Sequence, residues 1–146
     1  MTEPGIDFTR VFDASIERVW REWTEPACFA DWFGGAAATV PIESVSMDVR
    51  AGGGWKLTMV VGGRSIDWHG QYLEVDAPAR LAFTVSDQAP EVGYDTVIVD
   101  LRSLDDGRTE MRFQQRGGGL TPEQYKAAGA GWGKFFDHID ERLASG

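Results

Sequence analysis

Cysteine, histidine and positive charge are all scarce in this 146-residue chain. Cys28 is the single cysteine, which excludes an internal disulfide and leaves a cysteine-based zinc site without ligands. His69 and His138 are the two histidines; they stand far apart with no HExxH spacing, so neither a metal nor another cofactor is expected. Fourteen Lys and Arg against 23 Asp and Glu give a net charge of −9, a surface that repels a phosphate backbone and argues against nucleic acid as a partner. No apolar run approaches the ~20 residues needed to cross a bilayer. Met1 to Arg10 lack the apolar stretch of a secretory signal. A single cytoplasmic domain over residues 1–146 is therefore the expectation. The glycine runs Gly52–Gly54 and Gly117–Gly119 match neither GxGxxG nor the P-loop and read as turns.

Aromatic rings and glycines are what the chain has in quantity: six Trp, eight Phe, three Tyr and 18 Gly. Each ring removes roughly 150–250 Å² from water when enclosed. Many large rings beside many positions without side chains suit either a core of bulky pillars or a cavity walled by rings.

The pattern along the chain is mixed. Ile6 to Phe12 reads as a strand. Asp13 and Ser15 then offer N-cap oxygens, and Ile16, Val19, Trp20 and Trp23 follow at the spacing of one helix face. Pro26 ends that helix and opens a second, marked by Phe29, Trp32 and Phe33. From Ser44 the period changes to two. Strands are expected over Ser44–Arg50, Trp55–Val61, Arg64–Val75, Leu81–Val85, Tyr94–Leu104 and Arg108–Arg116. Gly62-Gly63 and Asp105-Asp106-Gly107 make the hairpin turns. A polar loop is expected over Ser86–Gly93. Thr121-Pro122-Glu123-Gln124 forms a capping box. The last helix carries Tyr125, Ala128, Trp132, Phe135, Phe136, Ile139 and Leu143 on one stripe. A meander of antiparallel strands with its helices gathered on one face is an α+β fold.

Four stretches carry a family resemblance: Phe12-Asp13-Ala14-Ser15-Ile16-Glu17-Arg18-Val19-Trp20; Trp23-Thr24-Glu25-Pro26 with Trp32-Phe33-Gly34; Asp48 to Trp55 with Gly70 to Val75; and Arg80 to Thr84 with Gly131-Trp132. In this order they resemble the START-like, helix-grip superfamily, and within it the branch named after the activator of heat-shock protein 90 ATPase. The resemblance implies a curved antiparallel sheet of about six to seven strands wrapped around the long C-terminal helix, with two short helices after the first strand. It also implies a hydrophobic guest held between sheet and helix. A chaperone contact and a homodimer are left open as further partners.

The residues expected to meet that guest are Trp32, Phe33, Trp55, Met59, Trp68, Tyr72, Phe83, Met111, Phe113, Trp132 and Phe136. Pockets for small molecules are mostly apolar with a few polar anchors, and methionine adapts to varied shapes. Gly70 and the helix glycines Gly129, Gly131 and Gly133 are expected to leave room beneath the helix. No catalytic residue is expected. The alternative, an enzyme of the cyclase or hydrolase type, draws on Asp67, His69, Asp100 and Tyr72, and needs Asp67 and His69 to face inward. A third reading, an interaction protein, needs a contiguous exposed apolar patch. Cys28 reads as a small hydrophobe, and His138 is expected to hydrogen-bond at the edge of the helix stripe.

Overall fold

A computed structural model describes residues 5–35, 38–87, 94–117 and 120–145. Strand β1 (Ile6–Phe12) is followed by two short helices, α1 (Ile16–Thr24) and α2 (Pro26–Trp32). Ser15 caps α1 by accepting from the Arg18 N–H at 3.3 Å, and Pro26 at the start of α2 supplies a fixed φ where no N–H is needed. Then come β2 (Ala38–Thr39), a 3₁₀ turn (Ile42–Ser44), β3 (Ser46–Met47), β4 (Gly54–Val61), β5 (Arg64–Asp76), β6 (Arg80–Val85), β7 (Asp95–Ser103) and β8 (Thr109–Arg116). Helix α3 (Pro122–Ser145) ends the described chain. Its capping box forms as expected: Thr121 N–H donates to Gln124 Oε1 at 2.8 Å, and Gln124 N–H donates to Thr121 Oγ1 at 3.1 Å.

The strands form one open antiparallel sheet in the order β1-β8-β7-β6-β5-β4-β2, with β3 also on β4. Eight strands replace the expected six to seven because two of them span only two residues. One is β2, which the sequence pattern did not reveal. The other is all that remains of the strand expected over Ser44–Arg50. That segment turns instead: Ser44 N–H donates back to the Pro41 carbonyl at 3.0 Å, and past Met47 the Gly53 N–H donates to the Arg50 carbonyl at 2.8 Å. A Cβ on Gly53 would stand 2.0 Å from the Asp48 carbonyl oxygen, so this turn accepts only glycine. The tight hairpins follow expectation, with positive φ at Gly62, Gly63 and Gly107. Most of the Ser86–Gly93 loop and two of the three glycines at 117–119 lie outside the described residues.

Alternation along β4, β7 and β8 turns Trp55, Leu57, Met59, Val97, Val99, Leu101, Met111 and Phe113 to one buried face. Helices α1, α2 and α3 lay Val19, Trp23, Phe29, Trp32, Trp132, Phe136 and Ile139 into the same core. Helix α1 also buries a charge that its apolar spacing did not announce, Glu22, at 4% exposure.

Candidate functional site

Trp23 of α1 is the hub of this core, meeting Phe29, Trp32, Phe83, Phe113, Trp132 and Phe136 at ring-centroid distances of 4.9 to 6.3 Å. Such separations are those of paired aromatic rings in contact. Of the eleven expected guest-contacting residues, ten are buried and Trp68 is partly buried against the same cluster. The sequence reading omitted Trp23, Phe29 and Phe135 from that set. Trp23 and Phe29 were legible as helix-stripe positions, but periodicity says which side is inward and not which ring is central.

Protein rings surround Trp132: Phe113 at 4.7 Å, Phe135 at 5.5 Å, Phe136 at 5.8 Å and Phe33 at 6.0 Å. Gly70 does not leave the room expected of it either. A Cβ there would meet the Thr84 carbonyl oxygen at 1.7 Å and the Trp55 Nε1 at 2.6 Å, so the glycine serves close approach of β5 to β6. The helix behaves differently. A Cβ on Gly131 or Gly133 would meet nothing within 4 Å, and on Gly129 only Ile6 at 3.8 Å.

Hydrogen bonding within the cluster is uneven. Trp32 Nε1 donates to the Glu22 carbonyl at 2.7 Å and Trp55 Nε1 to the Thr84 carbonyl at 2.9 Å. Trp132 Nε1 donates to Gln115 Oε1 at 2.8 Å, and Gln115 Nε2 in turn donates to Asp95 Oδ2 at 2.9 Å. The Nε1 atoms of Trp23 and Trp68 are buried with no acceptor. His138 Nδ1 shares that condition.

An open cleft of about 500 Å³ lies beside the cluster. Its walls are Ala27, Ala30 and Asp31 of α2, Gly35, the Ala38–Val40 stretch, Ile42 and His138 of α3. None of the eleven expected residues lines it. One ring links the two places: Phe135 stands 3.4 Å from where a Cβ on Gly35 would be, and its centroid is 5.5 Å from both Phe33 and Trp132. Asp31 accepts from Arg142 Nη1, whose Nε and Nη2 hold the buried Glu22 at 2.6 and 3.2 Å.

The residues named for catalysis are dispersed. Asp67 is exposed and accepts from Thr58 Oγ1 at 2.8 Å, while His69 Nδ1 lies 3.2 Å from the Tyr94 hydroxyl. Both sit out of phase with buried Tyr72 on β5. Asp100 pairs with Arg80 at 2.9 Å. Burial pushes the Tyr72 phenol well above the ordinary tyrosine range, with Asp48 adding to the effect. Cys28, half-buried, donates weakly to Glu25 Oε2 at 3.7 Å, and burial, then Glu22, push its thiol up. Among the described residues, no group of three or more His, Cys, Asp or Glu could hold a metal ion. Among the described residues, no helix is long and apolar enough to cross a membrane. Among the described residues, the large exposed apolar side chains Val11, Ile42, Val60, Leu73 and Tyr94 belong to five different segments of the chain.

An open antiparallel sheet with two short helices after its first strand, and a long final helix over its ring-bearing face, defines a START-like domain. The family profile described as Activator of Hsp90 ATPase homolog 1-like protein matches residues 13–144. The chain belongs to that family. No curated protein matches this sequence. Solved structures do. A protein of Nitrosomonas europaea shares 25% identity over 99% of this chain and 97% of its own, with a TM-score of 0.82. The AHSA1 protein of Silicibacter pomeroyi shares 20% over 96% and 97%, with a TM-score of 0.83. A protein of Chromobacterium violaceum shares 23% over 95% and 96%, with a TM-score of 0.81. At 20 and 23% identity the last two speak for a common fold.

Proposed function

We propose that this chain is a binding module for a small apolar or aromatic molecule that also carries a hydrogen-bond acceptor. The guest enters by the cleft beside α2, displaces Phe135, and lodges its rings against the cluster between the sheet and α3. The observation that carries this reading is Trp23, whose ring meets six others and whose buried indole N–H has no acceptor. A buried donor left unmade costs about 1–3 kcal/mol, and a guest carbonyl or hydroxyl oxygen would recover it. The cleft volume of about 500 Å³ falls within the roughly 300–1,000 Å³ of small-molecule sites. Phe135 is only partly buried, so moving it disturbs less packing than moving any fully buried ring.

The test is an NMR titration that follows the six indole N–H signals, with Trp23 and Trp68 assigned by Trp→Phe variants, against a library of aromatic ketones and phenols. Native mass spectrometry of the purified protein runs in parallel. A guest that shifts the Trp23 or Trp68 signal supports the reading. A library without effect on any indole, together with no co-purified small molecule, overturns it.

A further inference from the structure

We infer that the polar end of the guest, which stays in the cleft mouth, is a cation: the ligand is an amphiphilic amine rather than a fatty-acid-like anion. This rests on the small-molecule reading above and adds the charge of the guest, which that reading leaves open.

The cleft wall is apolar at Ala27, Ala30, Ala38, Val40 and Ile42, and polar at Asp31, Thr39 and His138. Among the described residues its lining contains no lysine or arginine. The guanidinium of Arg142 contacts the lining residue Asp31, and its nitrogens are already engaged: Nε and Nη2 with Glu22, Nη1 with Asp31. Two carboxylates thus share one positive charge, and one negative charge is left in excess beside the mouth. Glu22 is buried at 4% exposure and is fixed in this pair, whereas the Asp31 side chain, although also paired with Arg142, is 55% exposed and lines the cleft. An incoming carboxylate would find no lysine or arginine among the lining residues and would face Asp31 directly. An ammonium would find Asp31 within reach and an apolar floor for its chain.

Three probes of equal length separate these cases: n-octylammonium, 1-octanol and octanoate. Each is titrated at pH 8 in low salt into the full chain, with backbone amide shifts of residues 27–42 and the His138 ring as readouts. Two like or opposite charges about 4 Å apart differ enough in water to set the amine roughly tenfold or more tighter than octanoate. Octanol should fall between them. The preference should shrink in 0.5 M salt, where screening acts within about 4 Å. Asp31→Asn, a surface change of equal size, should bring the amine and octanoate within about threefold of each other. A thermal melt confirms that the variant is folded. Octanoate binding as tightly as the amine, or an unchanged ratio in Asp31→Asn, overturns the inference while the small-molecule reading stands. If none of the probes shifts a cleft signal, the inference is overturned as well, and the indole titration then decides the broader reading.

Discussion

Replacing Gly131 and Gly133 with alanine should make this protein more stable, which is an unusual expectation for a pair of helix residues so near a ring cluster. Both lie inside α3, eight or more residues from either end, and neither has a positive φ that would strain an alanine. An added Cβ at either site would meet nothing within 4 Å. The native state therefore gains no clash, while the unfolded chain loses conformational freedom. Interior glycine costs about 0.8–1.0 kcal/mol relative to alanine, so the double variant should gain close to 2 kcal/mol. At about 2–4 °C per kcal/mol for a domain of this size, its melting temperature should rise by roughly 4–8 °C. Urea unfolding with an unchanged slope would show that the gain is in stability and not in denatured-state compactness. Gly70→Ala is the matched control. Its Cβ would stand 1.7 Å from the Thr84 carbonyl oxygen, and it should unfold the protein or cost several kcal/mol, at the upper end for point changes. A double variant no more stable than the parent would refute the argument that these glycines sit over open space. Under the proposed function, a stiffer α3 should also slow association of the guest, because Phe135 and Trp132 flank these two positions.

Three further outcomes follow from the geometry. Burial raises the Tyr72 phenol above its ordinary value of 10.0, so the unfolded chain ionises first; stability is intact below pH 10 and falls above it, by about 1.4 kcal/mol per pH unit for this one group. Tyr72→Phe should flatten the alkaline limb by that amount, and identical limbs would show that the phenol is not protected. Arg142→Met should cost about 3–5 kcal/mol in urea unfolding because it strands the buried Glu22, and adding Glu22→Gln should recover more than half; a loss under 1 kcal/mol would mean that water reaches Glu22. Trp132→Phe keeps a ring in the cluster but leaves Gln115 Oε1 without its 2.8 Å donor, a loss of roughly 1–3 kcal/mol beyond the change in ring area. A double-mutant cycle with Gln115→Met, whose single-variant leg carries the separate loss of the Asp95 contact, isolates the lost bond from the lost ring area.

How much of this was legible beforehand depends on the range of the interaction that decides each feature. Pro26, Ser15, the Thr121–Gln124 capping box and the glycine hairpins are decided by neighbours within four residues, and the sequence displays both partners. The strand expected over Ser44–Arg50 failed for a related reason. Val45, Met47 and Val49 do alternate, and all three are partly buried, but the backbone beyond Met47 is decided by carbonyls that bind across the Asp48–Gly53 turn. Alternation records which side chains want cover; it does not record whether a partner strand lies alongside.

Glycine shows where such reading stops. Gly70 and Gly131 both interrupt apolar patterns, and both suggested room for a guest. Gly70 instead admits the Thr84 carbonyl from the neighbouring strand, a contact between residues 14 apart, whereas Gly131 faces open space. Nothing within either residue's own segment separates the two cases. The same holds for the rings. Eleven residues were placed on the correct inner face by their period, yet whether rings enclose a space or fill it depends on how side chains from three helices and the sheet interlock. Here they interlock around Trp23, and the open volume lies one ring away, at Gly35 and His138, where small residues and a single carboxylate carried no periodic signal. A hollow made by what is missing between elements leaves little trace in any one of them.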